Sequence, residues 1–198
     1  GDDHGNYAVA TVSGTGTITA AGTEALQLSA KGYEGTYDGQ SHDAVTEASV
    51  TGAVSGTEWT YTYSDAKDGE YGPMPKVTNA DDDRDVWVKA YNENYGELTV
   101  EVSATVDPIG LDATIASQKK AYDGTADLTA GDPEVTLEGV LEKDREAVSA
   151  SISADKVKYN KAGVHESLPL QASASDVVLA GDDHGNYAVA TVSGTGTI

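Results

Sequence analysis

Apolar residues along this chain recur at every second position far more often than at every third and fourth. The clearest case is Leu98, Val100, Val102, Ala104 and Val106, which alternate strictly with Glu97, Thr99, Glu101, Ser103 and Thr105. Successive strand side chains point to opposite faces, so this pattern predicts one strand with an apolar face and a wet face. Asp107-Pro108 ends it, because proline has no N–H to give to a ladder. Shorter alternations predict further strands at Leu26, Leu28 and Ala30, at Leu111, Ala113 and Ile115, at Val148, Ala150 and Ile152, and at Val157 with Tyr159. Val86, Val88 and Ala90 line an inner face, with Trp87, Lys89 and Tyr91 on the other side. Trp59, Tyr61 and Tyr63 share one face of another strand. Ser49-Val50-Thr51, Val135 with Leu137, and residues 177–179 are short candidates, and Pro169 between Leu168 and Leu170 predicts an edge strand. Residues 138–150 hold enough Glu, Leu and Lys for a helical turn, but loop followed by strand fits them better.

The turns between these strands carry an internal repeat. Gly1 to Ile18 returns letter for letter from Gly181 to Ile198, a period of 180 residues. Such a period is too long for a solenoid turn and implies whole domains threaded in series. Within the repeated stretch two short strands flank Ser13-Gly14, which predicts a tight hairpin. Two sets of landmarks then follow in the same order: Tyr37-Asp38-Gly39 before Asn94-Tyr95, and Tyr122-Asp123-Gly124 before Asn186-Tyr187. The division is therefore residues 1–20 as the closing hairpin of a preceding repeat, with 21–107 and 108–198 as two related modules. Regular short strands separated by turns predict an all-β fold, two antiparallel β-sandwiches of immunoglobulin-like kind in tandem and in an extended arrangement.

Charge narrows the partners. Thirty-three Asp and Glu against 12 Lys and Arg leave a net charge of -21. Such a surface repels phosphate backbones and anionic lipid heads, so neither nucleic acid nor membrane insertion is expected. No cysteine is present, which removes disulfides and thiolate metal sites.

Candidate chemistry is sparse, and no catalytic, cofactor-binding or metal-binding residue is assigned. Asn79, Asp81, Asp83 and Asp85 stand at alternate positions, as the first ligands of a calcium loop do. An EF-hand needs glycine at its sixth position and glutamate at its twelfth, where this chain has Arg84 and Ala90. The acidic turn at 81–85 is then either solvated or part of a looser calcium site. Asp2-Asp3-His4 and Asp182-Asp183-His184 have no second histidine at ligand spacing. His42 and His165 fall in loops without a nucleophile or a paired carboxylate at suggestive spacing, and no serine sits in a nucleophile elbow. Gly14-Thr15-Gly16 does not open a helix and cannot cradle phosphate. The stripe of Trp59, Tyr61 and Tyr63 is either core or a sugar-stacking platform, with core favoured because the chain contains no Phe. No lysine is singled out for an isopeptide crosslink.

Two sets of motifs carry a resemblance to bacterial surface-repeat families. Tyr37-Asp38-Gly39-Gln40, Tyr61-Thr62-Tyr63-Ser64 and Asn94-Tyr95-Gly96 make residues 26–107 similar to mostly-beta, glycine-rich (MBG) domains. Ala121-Tyr122-Asp123-Gly124-Thr125, Val135-Thr136-Leu137-Glu138-Gly139 and Leu179-Ala180-Gly181 make residues 111–198 resemble YDG domains. The acidic turn is longer than the MBG pattern carries. The resemblance implies tandem domains of a large secreted or cell-wall-attached adhesin, acting as spacers.

The function expected is therefore a structural stalk, an extracellular cell-surface repeat that projects a binding head, with no cofactor and no enzymatic activity. Its expected contacts are neighbouring repeats of the same chain and a strand-exchanged self-contact through 1–18. Two β modules end to end would make a rod of about 70 to 90 Å. The alternative is a module that binds a glycan or a host protein through the aromatic stripe or the acidic turn.

Overall fold

A computed structural model describes residues 13–198. In the first module β1 (Gln27–Gly32), β2 (Glu34–Thr36), β3 (His42–Asp43), β4 (Val45–Thr51), β5 (Thr60–Ser64), β6 (Lys76–Val77), β7 (Arg84–Asn92) and β8 (Gly96–Asp107) follow one another. The second module holds β9 (Ile109–Lys119), β10 (Val135–Glu138), β11 (Ser149–Ile152), β12 (Lys158–Tyr159), β13 (Leu168–Gln171), β14 (Val177–Ala180) and β15 (Tyr187–Thr197). Single turns of 3-10 helix occur at Glu142–Asp144, Ala154–Lys156, Ala174–Asp176 and His184–Asn186. The fold is all-β.

The two modules share a plan. The first has a sheet in the order β2-β8-β7-β5 with smaller pairs β1-β4 and β3-β6; the second has β10-β9-β15-β13-β12 with β11-β14. Most pairings are antiparallel, but in each module the last strand lies parallel to an early one, β8 to β2 and β15 to β9. Glu34 to Thr36 run beside Thr105 to Asp107, and Tyr187 to Thr197 run beside Ile109 to Lys119. Each module thus takes the chain in at one end and releases it at the other. Only Pro108 separates β8 from β9.

The alternation of β7 and β8 has its expected effect. Val86, Val88, Ala90, Ala104 and Val106 are buried, and each fully buried valine contributes roughly 1.5 to 3 kcal/mol. This first core continues past Pro108 into Leu111, Val148 and Tyr187 of the second module. A second core belongs to the second module alone, with Ile115, Tyr159, Leu170 and Ile198 among its members.

Two expectations need correction. The repeated stretch is not a hairpin: Tyr187–Thr197 is one strand that passes through Ser193-Gly194 without turning. Its glycines serve close packing instead, since a Cβ at Gly194 would stand 2.9 Å from Ile115 Cβ and one at Gly196 2.6 Å from Tyr159 Cε1. In the earlier copy, residues 13–20 form no strand and lack those neighbours, while residues 1–12, with the self-contact expected of them, lie outside the described residues. Pro169 is not on an edge strand, because β13 lies between β15 and β12. Its carbonyl accepts the Asn160 N–H at 3.1 Å, so its imino nitrogen points to the side where β12 has already ended and no ladder donor is required.

Candidate functional site

The chemistry-bearing residues gather where the modules meet. β2 delivers Tyr37 to the end of the first module, and the Tyr37 N–H donates to the Asp107 carbonyl at 2.8 Å. The chain then turns on Asp38, whose carboxylate accepts the Gln40 N–H at 2.8 Å, with Gly39 at φ 74°. A carboxylate that accepts a backbone N–H two residues on makes an Asx turn, and only glycine holds that φ without strain. His42 completes the turn: its Nε2 lies 3.1 Å from Asp38 Oδ1, and its ring stacks on Tyr33 at 4.4 Å. The expectation that His42 has no paired carboxylate is therefore wrong, although the pair is structural, since a turn and a stacking tyrosine account for both groups. The Gln40 N–H and the His42 ring hold Asp38 below the usual carboxylate range.

Tyr37 is 2% exposed, because the second module covers it. Its hydroxyl donates to Asp144 Oδ2 at 2.9 Å, and the Tyr187 hydroxyl donates to the same oxygen at 2.6 Å. The Leu141 N–H donates in turn to the Tyr187 oxygen at 3.3 Å. The two rings meet edge to face, with centroids 5.7 Å apart. Lys143 Nζ lies 5.2 Å from the Tyr37 ring and 3.6 Å from Asp144 Oδ1. Asn186 adds a second clasp, accepting the Ala80 N–H at 2.9 Å and donating to Asn79 Oδ1 at 3.3 Å.

A buried carboxylate without partners would take up a proton. Burial does push Asp144 up, but hydrogen bonds from Tyr187 and Tyr37 and the Lys143 charge outweigh it, and the carboxyl sits below its ordinary value. Burial and the adjacent Asp144 carboxylate raise the Tyr187 hydroxyl well above the normal tyrosine range. Burial likewise raises Tyr37. At neutral pH the junction is thus one anion held by two neutral phenols and an ammonium group. That arrangement fixes the orientation of the two tyrosines and the carboxylate they share.

The acidic turn belongs to this junction. The Asp82 carboxylate accepts the Thr78 and Asn79 N–H groups at 2.7 and 2.8 Å, Asp83 accepts the Val106 N–H at 2.7 Å, and Asp85 accepts the Ser103 hydroxyl at 2.5 Å. Asn79 faces Asn186. Asn79, Asp83 and Asp85 thus meet separate partners, and among the described residues no group of three or more His, Asp or Glu side chains could hold a metal ion. His184 Nδ1 contacts the Gly181 carbonyl at 2.6 Å, and Asp2-Asp3-His4 lies outside the described residues. His165 pairs with Ile198 through its backbone. Tyr61 and Tyr63 pack against the first core, and burial raises both hydroxyls. Trp59 precedes β5 and lies against Tyr95 at 5.8 Å. An open groove of about 810 Å³ runs between β10 and β11 past Val135, Leu137 and Ile152, and its lining contains no histidine or lysine.

The opposite end of the second module carries the other Tyr-Asp-Gly turn. The Asp123 carboxylate accepts the Thr125 N–H at 2.9 Å, and Gly124 has φ 80°. Lys120 caps it, donating to Asp123 Oδ1 at 2.8 Å and to the Asp127 carbonyl at 2.9 Å. The Lys120 bond and two more from Thr125 hold the Asp123 carboxyl down to about 2. A YDG domain is detected over residues 102–194. No match was found among curated proteins or among solved structures. The YDG domain supplies Asp144, Asn186 and Tyr187 to the junction and keeps its own Tyr122-Asp123-Gly124 turn at the far end. Asn186-Tyr187 was visible in the sequence as a landmark. Asp144 was not, because Glu142-Lys143-Asp144-Arg145 reads as an ordinary solvated charge run.

Proposed function

We propose that the chain is a rigid spacer, one length of an extracellular stalk that holds a binding head away from a cell surface. The observation that carries this reading is the junction: one residue joins β8 to β9, and a shared carboxylate clamps the two modules. A hinge would need a longer linker and a wetter interface. The first module, by its Tyr-Asp-Gly and Asn-Tyr landmarks, fits an MBG-like partner to the YDG domain. The acidic surface suits a protein that must not adhere to its neighbours, and we assign it no enzymatic role.

Small-angle scattering of the 198-residue chain tests the proposal. A rod whose maximum dimension is about 80 Å, the length of two modules of extended strands, is expected. A distribution of distances that demands free reorientation about Pro108 would count against it.

A further inference from the structure

The two ends of the chain carry the two halves of a second junction. The far end presents Tyr122 in the same turn as Tyr37. Both turns place an aspartate Oδ1 within 2.8 or 2.9 Å of the N–H two residues on, and both have a glycine with φ near the same value, 74° and 80°. Yet Tyr37 is 2% exposed and Tyr122 is 63% exposed. Tyr37 owes its burial to the module that follows it.

The near end of the first module presents the matching receptor. At the existing junction the receptor is Tyr187, whose oxygen accepts the Leu141 N–H at 3.3 Å, with Asp144 N–H returning to the Leu141 carbonyl at 2.9 Å. In the first module, the Tyr95 oxygen accepts the Val54 N–H at 3.0 Å, and the Thr57 N–H returns to the Val54 carbonyl at 3.1 Å. Asn94-Tyr95 thus stands for Asn186-Tyr187, Val54 for Leu141 and Thr57 for Asp144. Leu141 packs against the first core at the junction, whereas Val54 is 74% exposed. Both ends are marked by position as well: Thr51 opposite Gln27 puts the loop after β4 at the outer end of the first module, and Thr197 opposite Lys119 puts Tyr122 at the outer end of the second.

We infer that the Tyr122 face docks the outer end of another copy of the first module, with Tyr122 packing on its Tyr95 and Val54 and its hydroxyl bonding at Thr57. The occupant follows from the repeat: Ser13 to Ile18 is the same sequence as Ser193 to Ile198, so a copy continuing from Ile198 resumes at Thr19. This inference rests on the spacer reading and supplies its second kind of joint. Thr57 in place of Asp144 gives that joint a hydroxyl where the first has a carboxylate.

The test is an extended chain, residues 1–198 followed directly by 19–107, compared with the 198-residue chain. Amide hydrogen exchange is followed in the peptide spanning Tyr122 and Thr125, which occurs once in both. Exchange about tenfold slower in the extended chain is expected, with Tyr122→Ala in that chain restoring the faster rate at the residues around it. Equal rates in the two chains overturn the docking, as does protection that survives Tyr122→Ala unchanged. Scattering on the same samples keeps the readings apart: equal exchange rates with a rod-like first pair of modules leave the spacer standing, while a freely jointed pair removes it.

Discussion

Tyr37 and Tyr187 belong to different modules, yet their hydroxyls donate to one and the same oxygen, Asp144 Oδ2. Neither phenol has water to fall back on, so the carboxylate is the point on which the joint between modules depends.

Asp144→Ala leaves both buried hydroxyls without their acceptor. Hydrogen bonds to a charged group are worth about 1.5 to 3 kcal/mol each and are not additive, so a loss of about 3 kcal/mol is expected. Urea unfolding reads it. The more telling result is a second transition, because a released junction lets the modules unfold separately. An unchanged single transition would show that Asp144 does not couple them.

Acid should open the same joint. Asp144 has a lower pKa folded than unfolded, so its contribution is complete above the unfolded carboxylate value, about 4, and is lost as pH falls through the folded value. Asp123 and Asp38 behave in the same sense. Stability should therefore hold from neutral pH to about pH 4 and fall below it. A carbon-detected titration should place the Asp123 midpoint near 2. Alkali works the other way: Tyr37 and Tyr187 have raised values, so their contribution is whole below the unfolded tyrosine value of about 10 and disappears only as pH passes their folded values. Absorbance titration should show Tyr187 among the last phenols to ionise.

Gly39→Ala should weaken the junction without touching either core. The residue has φ 74°, and an added Cβ would lie 2.3 Å from Lys143 Cε. Lys143 can move, so the expected cost is mainly the backbone strain, about 1 to 2 kcal/mol. Gly124→Ala has the same φ problem but open space around it, and the difference between the two variants in thermal unfolding isolates the contribution of contact across the modules.

Gly196→Val should be far worse. The new side chain would collide with the Tyr159 ring and with the Gln118 carbonyl, in the centre of the second core. A loss of more than 3 kcal/mol is expected, read as a fall in the midpoint of chemical denaturation. A near-neutral result would mean that β15 does not lie between β9 and β13.

How much of this was legible depended on whether a residue's role was local. The alternation in β7 and β8 settled both faces of those strands, because one wet face and one dry face leave a period of two in the sequence. The Tyr-Asp-Gly turns were equally plain, since positive φ demands glycine. Gly194 and Gly196 misled, because a glycine that makes room for Ile115 and Tyr159 looks the same in sequence as one that turns the chain. Asp144 and the Asp38–His42 pair stayed hidden for a related reason: what makes them matter is a partner reached only through the fold. Ile18 and Ile198 put the point most simply. They end identical stretches, but Ile198, in the second core, is 7% exposed and Ile18 is 98% exposed.

The side-by-side opening and closing strands also decide how the chain bears a load. A pull applied to the two ends of the second module enters at Ile109 and leaves at Thr197, so β9 and β15 are dragged past each other lengthwise. Their rungs lie across the force and must yield together, as stitches in a lap seam do, where a hairpin opened from one end would unzip one bond at a time. Single-molecule extension should therefore show this module giving way in one abrupt step at high force.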